Sequence, residues 1–473
     1  MEQAIDLKGR PYSHLAFIWT LLAGTFTMSI SQSSLSTAYP TLMRYFNIPA
    51  STVQWLTTGF MLVMVVMMPV SPWLLNNIRF PVLFVTVLAL FDVGTFIIYL
   101  APSFGLMMLG RVMEAMAVGI MFPSYQTVML RITPEAKRGS VMGFAGLVMG
   151  SALAVGPIIS GIVLKFTTWQ GLFVVFMVII TVVFLIALKT VKDVMPAHAS
   201  KLDFGSVISS LGFIGILYVV NQTGKVGVNW GWMMGLLVVS VLAVAYFVWR
   251  QFHVATPLLD LRVLKTVNFD LAVLLTGASY IALIVVTIIF PLYYQEVLGL
   301  TPFASGMALV PGAVVLSLLN PLTGKLADRI GFKATMLAGM TMIVFGWLWL
   351  TIVGGRQSLL AMILTAALIE GGNAFVMMPA VTLGANSLPD QLISHGTAVI
   401  TTVRQILGST GVAVATLVLA GVTASHAKVS TASAAALAGY RAVFATFLVV
   451  AVVGWIFAIL LRDGRQAKKT SGD

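Results

Sequence analysis

Gly324-Lys325-Leu326-Ala327-Asp328-Arg329-Ile330-Gly331-Phe332-Lys333 is a short polar island between two apolar runs, 302–323 and 334–353. An α-helix needs about 20 mostly apolar residues to cross the hydrocarbon core of a bilayer, and each run has that length. The island therefore reads as a tight turn between two membrane-crossing helices. Its glycines permit the turn and a close helix approach. Asp328 beside Arg329 and Lys333 offers ion pairs able to latch one conformation; the alternative is an ordinary basic loop.

Applied outwards along the 473 residues, the same test finds fourteen spans: 14–38, 52–75, 80–100, 103–128, 139–164, 169–190, 204–223, 230–250, 268–294, 302–323, 334–353, 358–386, 396–422 and 439–461. Transmembrane strands would instead give shorter segments of alternating polarity, so the fold class is an all-α integral membrane protein. Composition agrees. Hydrophobic residues make up 59% of the chain and charged residues 9%, whereas soluble domains carry about 25% charged residues. The first run, from about Leu15 to Ile30, is followed by no small-residue cleavage pattern and reads as a retained helix.

The net charge of +12 does not indicate a nucleic-acid partner, because the basic residues sit in short loops between the spans. Of the 27 Lys and Arg, Arg44, Lys165, Lys225, Arg356, Lys428 and Arg441 fall on one side. Arg111 and Arg404 lie within spans, and the remaining nineteen fall on the side of the two termini. Cytoplasmic loops carry the excess of Lys and Arg, so both termini are expected in the cytoplasm, with the protein multi-pass in the cell membrane. The chain has no cysteine, and His14, His198, His253, His395 and His426 are scattered towards loops. Neither an enzyme, nor a metal centre, nor a cofactor is expected. No loop is long enough for an ATPase domain, so any transport must run on a gradient or a separate subunit.

The string 324–333 closely resembles the signature loop of the major facilitator superfamily, where it recurs between helices 2 and 3. Here that second place reads Ser71-Pro-Trp-Leu-Leu-Asn76-Asn77-Ile-Arg79, without the acid and most of the glycines. The resemblance implies the major facilitator fold: two six-helix halves, 1–200 and 266–473, with two extra central helices, 7 and 8, inserted at 201–265. Span 5 carries Gly143, Ala152 and Gly156-Pro157-Ile-Ile-Ser160-Gly161. It resembles the antiporter motif of drug–proton exchangers, with Ala152 and Ser160 in place of glycines. Small residues let helices pack closely in lipid, so a plain packing face is the alternative.

Span 4 reads Arg111-Val-Met-Glu114-Ala-Met-Ala-Val-Gly119 and is similar to the family's Arg-Gln-Gly pattern, with Glu114 replacing the Gln. Trp169-Gln-Gly-Leu-Phe173, Pro257-Leu-Leu-Asp260-Leu-Arg262 and Thr402-Val-Arg404-Gln405-Ile-Leu-Gly408-Ser409 extend the resemblance to the fourteen-helix drug–proton antiporter branch. It implies proton-coupled efflux of lipophilic, cationic drugs or toxic compounds by alternating access, by a monomer. Export of an endogenous metabolite or lipid is the alternative within the same fold. A membrane protein that does not transport is the further one, against which the antiporter-like span 5 counts.

Ionisable groups inside a membrane are functional candidates by default. Relatives carry an acid in helix 1 where Ser31 stands here. The proton-coupling candidates are therefore Asp92, Glu114 and Glu370, with Arg111 one helical turn from Glu114 and able to pair with it. Glu370 is expected to face the central cavity. For each acid the alternative is a paired structural charge. Asp270 reads as a solvated carboxylate at the start of its helix. Gln32, Tyr125, Gln126, Tyr280 and Asn373 are candidates for the cavity lining. The 26 Met and 49 aromatic side chains suit an adaptable apolar surface, or simply face lipid.

Overall fold

A computed structural model describes residues 4–196, 200–222, 227–353, 357–427 and 431–462. Fourteen helices in it are long and apolar enough to cross a membrane. In chain order they are α1 His14–Phe46, α2 Trp55–Asn77, α3 Phe80–Tyr99, α4 Phe104–Ile132, α5 Arg138–Phe166, α6 Trp169–Thr190 and α7 Phe204–Gln222. After them come α8 Trp230–His253, α9 Val267–Glu296, α10 Val310–Ile330, α11 Phe332–Val353, α12 Leu359–Asn386, α13 Ile393–His426 and α14 Ala432–Leu460. A two-residue hairpin, Ala4–Ile5 with Pro11–Tyr12, precedes α1.

The caps explain where the helices begin. Ser13, Ser103, Asn229, Ser358 and Thr431 each accept a backbone N–H of the first turn, satisfying a donor that the helix itself leaves open. Several helices outrun their apolar runs: α1 reaches Phe46 and α13 spans 393–426. The run at 302–323 is not one helix. A short helix, Pro302–Met307, ends before α10, whose first turn holds Pro311. At the other end α10 continues to Ile330, so the polar island is helical for most of its length. Gly331 alone makes the turn into α11, at φ 102°, a backbone conformation that a side chain disfavours.

α1 to α6 pack together as one half and α9 to α14 as the other, with α7 and α8 paired beside them and α7 resting on α2 and α13. Phe17, Phe60, Phe84 and Phe91 anchor the first core; Phe290, Trp347, Phe444 and Phe447 anchor the second. Between the halves, α5 lies along α10 in the broadest contact of the molecule. α13 lies against α2 and α4, and α12 against α5.

The halves also correspond in sequence. Glu114 precedes Pro123 by nine residues in α4, and Glu370 precedes Pro379 by nine in α12. After each helix a Pro and an acid open a 3₁₀ turn, Glu135–Lys137 and Asp390–Leu392. Glu114 and Glu370 thus hold equivalent places in the two halves.

Candidate functional site

The ends of α2, α4, α10 and α12 and the starts of α5 and α13 lie at the face where α1 begins, called here the terminal face. There Asp328, near the end of α10, accepts the backbone N–H groups of Gly139 (3.0 Å) and Ser140 (2.7 Å) and the Ser140 hydroxyl (2.6 Å). The two N–H groups belong to the first turn of α5, which has no helical acceptor for them, and the helix dipole favours a carboxylate at that place. The Asp328 carboxylate thus bonds across the halves. Arg329 is exposed and Lys333 half-buried.

Glycine makes the approach possible. A Cβ on Gly143 would lie 3.0 Å from the Gly324 Cα, and one on Gly324 would run into the carbonyl of Gly139. Both are backbone contacts that cannot rotate away. At the equivalent place in the other interface, Asn76 reaches Ser394 at 3.5 Å. Arg138 donates to Asn386 (2.9 Å), Thr127 bonds Thr397 (2.6 Å), and Arg131 donates to the Asp390 carbonyl. The halves are therefore fastened together at the terminal face.

Further along, α5 changes neighbour. Gly156 packs on Ser33 and Ser34 of α1, the Ser33 hydroxyl donates to the Ala152 carbonyl at 2.8 Å, and Thr37 donates to Ser160. Pro157 lies on this stretch and lacks the N–H that a helix would use. Gly161 does not extend the packing face expected of the motif: a Cβ there would meet nothing within 4 Å.

The acids separate into different environments. Glu114 and Arg111 are both essentially inaccessible and pair at 2.5 Å. Glu114 also accepts the Thr95 hydroxyl at 2.8 Å, and Arg111 donates to the Leu56 carbonyl and lies 4.2 Å from the Phe60 ring centroid. Asp92 stands apart from this cluster. It is half-buried between α3 and α6 and accepts the Thr181 hydroxyl at 2.8 Å.

Glu370 is buried within its own half, against Gly312 of α10 and near Tyr294 of α9. Gly312, having no side chain, leaves room for its carboxylate, which a Cβ there would meet at 2.8 Å. The Glu370 Oε2 and the Tyr294 hydroxyl have no hydrogen-bond partner. Among the described residues no donor reaches this Oε2, in contrast to the two donors, Arg111 and Thr95, on Glu114. Asp270 is in the first turn of α9 but only half-exposed, and among the described residues its buried Oδ1 has no hydrogen-bond partner, so it is less solvated than expected.

Among the expected lining residues, Asn373 ties α12 to α9 through the Ser279 carbonyl (2.7 Å), and Gln32 is half-buried on α1. Tyr125 and Gln126 of α4 are buried and bond each other at 3.3 Å. Tyr280 meets Arg404 of α13, whose guanidinium lies 5.2 Å from its ring centroid. Arg404 is absent from the expected site. Its signals in the sequence were its place inside a span and in the family-like string 402–409.

The chain matches the family model of the Major Facilitator Superfamily over residues 21–412. It is 35% identical over 462 residues to the uncharacterised MFS-type transporter YcnB of Bacillus subtilis, covering 98% of both chains. It is 34% identical over 467 residues to the lincomycin resistance protein LmrB of Listeria monocytogenes, covering 97% of this chain and 98% of that one. Among solved structures, the human organic anion transporter MFSD10 superposes with a TM-score of 0.67 at 12% identity, covering 94% of this chain and 99% of that one. The proton:xylose symporter XylE superposes with a TM-score of 0.66 at 11% identity, covering 95% and 96%. These two likenesses concern the fold. The family comprises transporters rather than enzymes, and a multi-pass membrane protein with fourteen candidate spans fits it. The chain belongs to the Major Facilitator Superfamily.

Proposed function

We propose that this protein exports lipophilic drugs or toxic compounds across the cell membrane in exchange for protons. Several relatives are lincomycin resistance proteins, and the antiporter-like stretch of α5 runs from the α10 interface to α1. The observation that carries the proton coupling is the contrast between Glu114 and Glu370. The two acids hold equivalent places, yet one is neutralised by Arg111 and the other has no partner. An ionised carboxylate without partners in a low-dielectric interior is costly. A group so placed is stable carrying a proton and must find water or a donor to release it, which is what a coupled carrier needs. In this reading Glu370 carries the proton, the Arg111–Glu114 pair steadies the first half, and Asp92 serves the α3–α6 contact.

The positive-inside bias supports placing the terminal face in the cytoplasm. The fastened state is then closed to the cytoplasm and outward-facing, and Gly324, Asp328, Gly331 and the α5 glycines form the part that opens when the halves rock. The division into 1–200, 201–265 and 266–473, and a monomer as the working unit, belong to the same reading. A cationic substrate was expected from a buried acid facing the cavity. Glu114 is already paired with Arg111, which leaves Glu370 alone to carry that expectation.

The test is reconstitution in liposomes with an internal pH dye. On addition of ethidium or a lincosamide, substrate-dependent proton movement is expected. Substrate movement without proton movement would contradict the coupling. No movement of any of several drug classes would contradict drug export.

A further inference from the structure

Two basic side chains are buried inside spans, and only one has an acid. Arg111 faces Glu114 one turn away. Arg404 is 7% exposed, its Nε and Nη1 have no hydrogen-bond partner, and among the described residues no carboxylate pairs with it. Asp92, Glu296 and Asp328 are engaged with Thr181, Tyr440 and Ser140, and Glu370, whose Oε2 has no partner of its own, forms no ion pair with Arg404. A buried charge with no counter-ion is costly, and a chain that merely needed bulk at this position would be better served by Leu or Met.

The place of Arg404 suggests what satisfies it. It lies eleven residues into α13, the helix that touches α2 and α4 of the opposite half as well as α9 of its own. Its guanidinium lies 5.2 Å from the ring centroid of Tyr280 of α9, and α13 also touches α4, which carries Tyr125 and Gln126. Gln126 adds an unpartnered Oε1. Two residues after Arg404, Ile406 packs with Leu62, Val65 and Leu217, an apolar patch shared by α13, α2 and α7. Residues two apart do not share a helix face, so this patch covers another side of α13; Arg404 itself stands on the helix that meets both halves, where carriers of this architecture hold substrate.

We propose that Arg404 binds the anionic head of an amphipathic substrate, a carboxylate or sulfonate. The planar guanidinium presents two parallel N–H groups that match such a head in a way an ammonium does not. The proposal rests on the export reading and names its substrate class. When the head is bound, Arg404 gains the counter-ion that the resting protein does not give it; when the head leaves, the cost returns. Substrate binding and the rocking of the halves are thereby linked.

The test uses the full-length protein in proteoliposomes under an imposed proton gradient, with micromolar radiolabelled taurocholate, an amphipathic sulfonate that stays charged and crosses lipid slowly. Tetraphenylphosphonium is the cationic comparison for the parent. The parent is expected to move taurocholate. Arg404→Gln should lower the flux roughly tenfold or more, and Arg404→Lys should raise KM while keeping part of kcat. Size-exclusion profile and thermal unfolding report whether each variant folds. If Arg404→Gln does not fold, the KM of Arg404→Lys decides. Parent flux of tetraphenylphosphonium without taurocholate flux would overturn the anion proposal and leave export standing. Equal taurocholate flux in parent and variants would do the same, as a pairing of Arg404 with an acid of the chain in another state predicts. Movement of neither probe would remove both readings.

Discussion

The Asp328 carboxylate, near the end of α10, accepts the hydroxyl of Ser140, near the start of α5, at 2.6 Å, across an interface of two different halves. Two backbone N–H groups share the same carboxylate. A hydrogen bond involving a charged group contributes about 1.5–3 kcal/mol, and all three must break for the terminal face to open.

Asp328→Asn should therefore shift the equilibrium between closed and open states by roughly tenfold to a hundredfold. The chain contains no cysteine, so a single Thr397→Cys, at a buried contact with Thr127, reports the opening without background. Its labelling by an impermeant maleimide from the terminal face is expected to be slow in the parent and at least several-fold faster with Asp328→Asn. Equal rates would deny the latch.

Gly324→Ala tests the same interface by shape rather than charge. The added Cβ would meet the Gly139 carbonyl, and backbone contacts relax poorly in a close-packed interior. Transport should fall by about tenfold or more while the protein still folds, and the Thr397→Cys probe should label fast. Normal transport by a folded Gly324→Ala protein would contradict the close approach.

Glu114→Gln leaves Arg111 charged and buried without its counter-ion. Removing one partner of a buried pair costs about 3–5 kcal/mol, whereas replacing both by apolar groups is often near neutral. The thermal unfolding temperature should fall clearly for Glu114→Gln and recover in the double variant Arg111→Met with Glu114→Leu. A double variant less stable than either single would show that the pair does more than satisfy its own charges.

Just outside α7, Asp203 accepts Arg250 Nη2 and Nε, each at 2.7 Å, and the Ser206 hydroxyl at 2.6 Å. The bonds from Arg250 and Ser206 hold its carboxyl at about 2 against an ordinary 3.8. A carboxyl lowered in the folded state adds stability above its unfolded value, lost as the pH falls through the folded one. The parent should thus lose an increment of stability between about pH 4 and pH 2 that Asp203→Asn does not show, with parallel curves above pH 5. Thermal unfolding in detergent at stepped pH reads this directly.

The fold was largely legible because lipid imposes one length on every span, and the apolar runs carry that length whatever the tertiary context. Helix ends were less legible. Gly331, not the polar stretch before it, makes the turn after α10, and Asp328 and Arg329 look loop-like although they are helical. The pairing of Arg111 with Glu114 was readable from a spacing of one helical turn. No spacing announces that Asp328 finds Ser140, 188 positions away, or that the Glu370 carboxylate packs on Gly312. Arg404 was visible as one of two basic residues inside spans. The contrast with Arg111, which has an acid one turn on while Arg404 has none, was the available clue to its importance.

Proton coupling through Glu370 is the central claim, and one comparison tests it most directly. Parent and Glu370→Gln, reconstituted side by side with an internal pH dye, are given a pulse of a substrate that the parent exchanges for protons. The account expects proton movement in the parent and none in Glu370→Gln, with substrate still bound by both. Proton movement of equal rate and extent in the variant would contradict it.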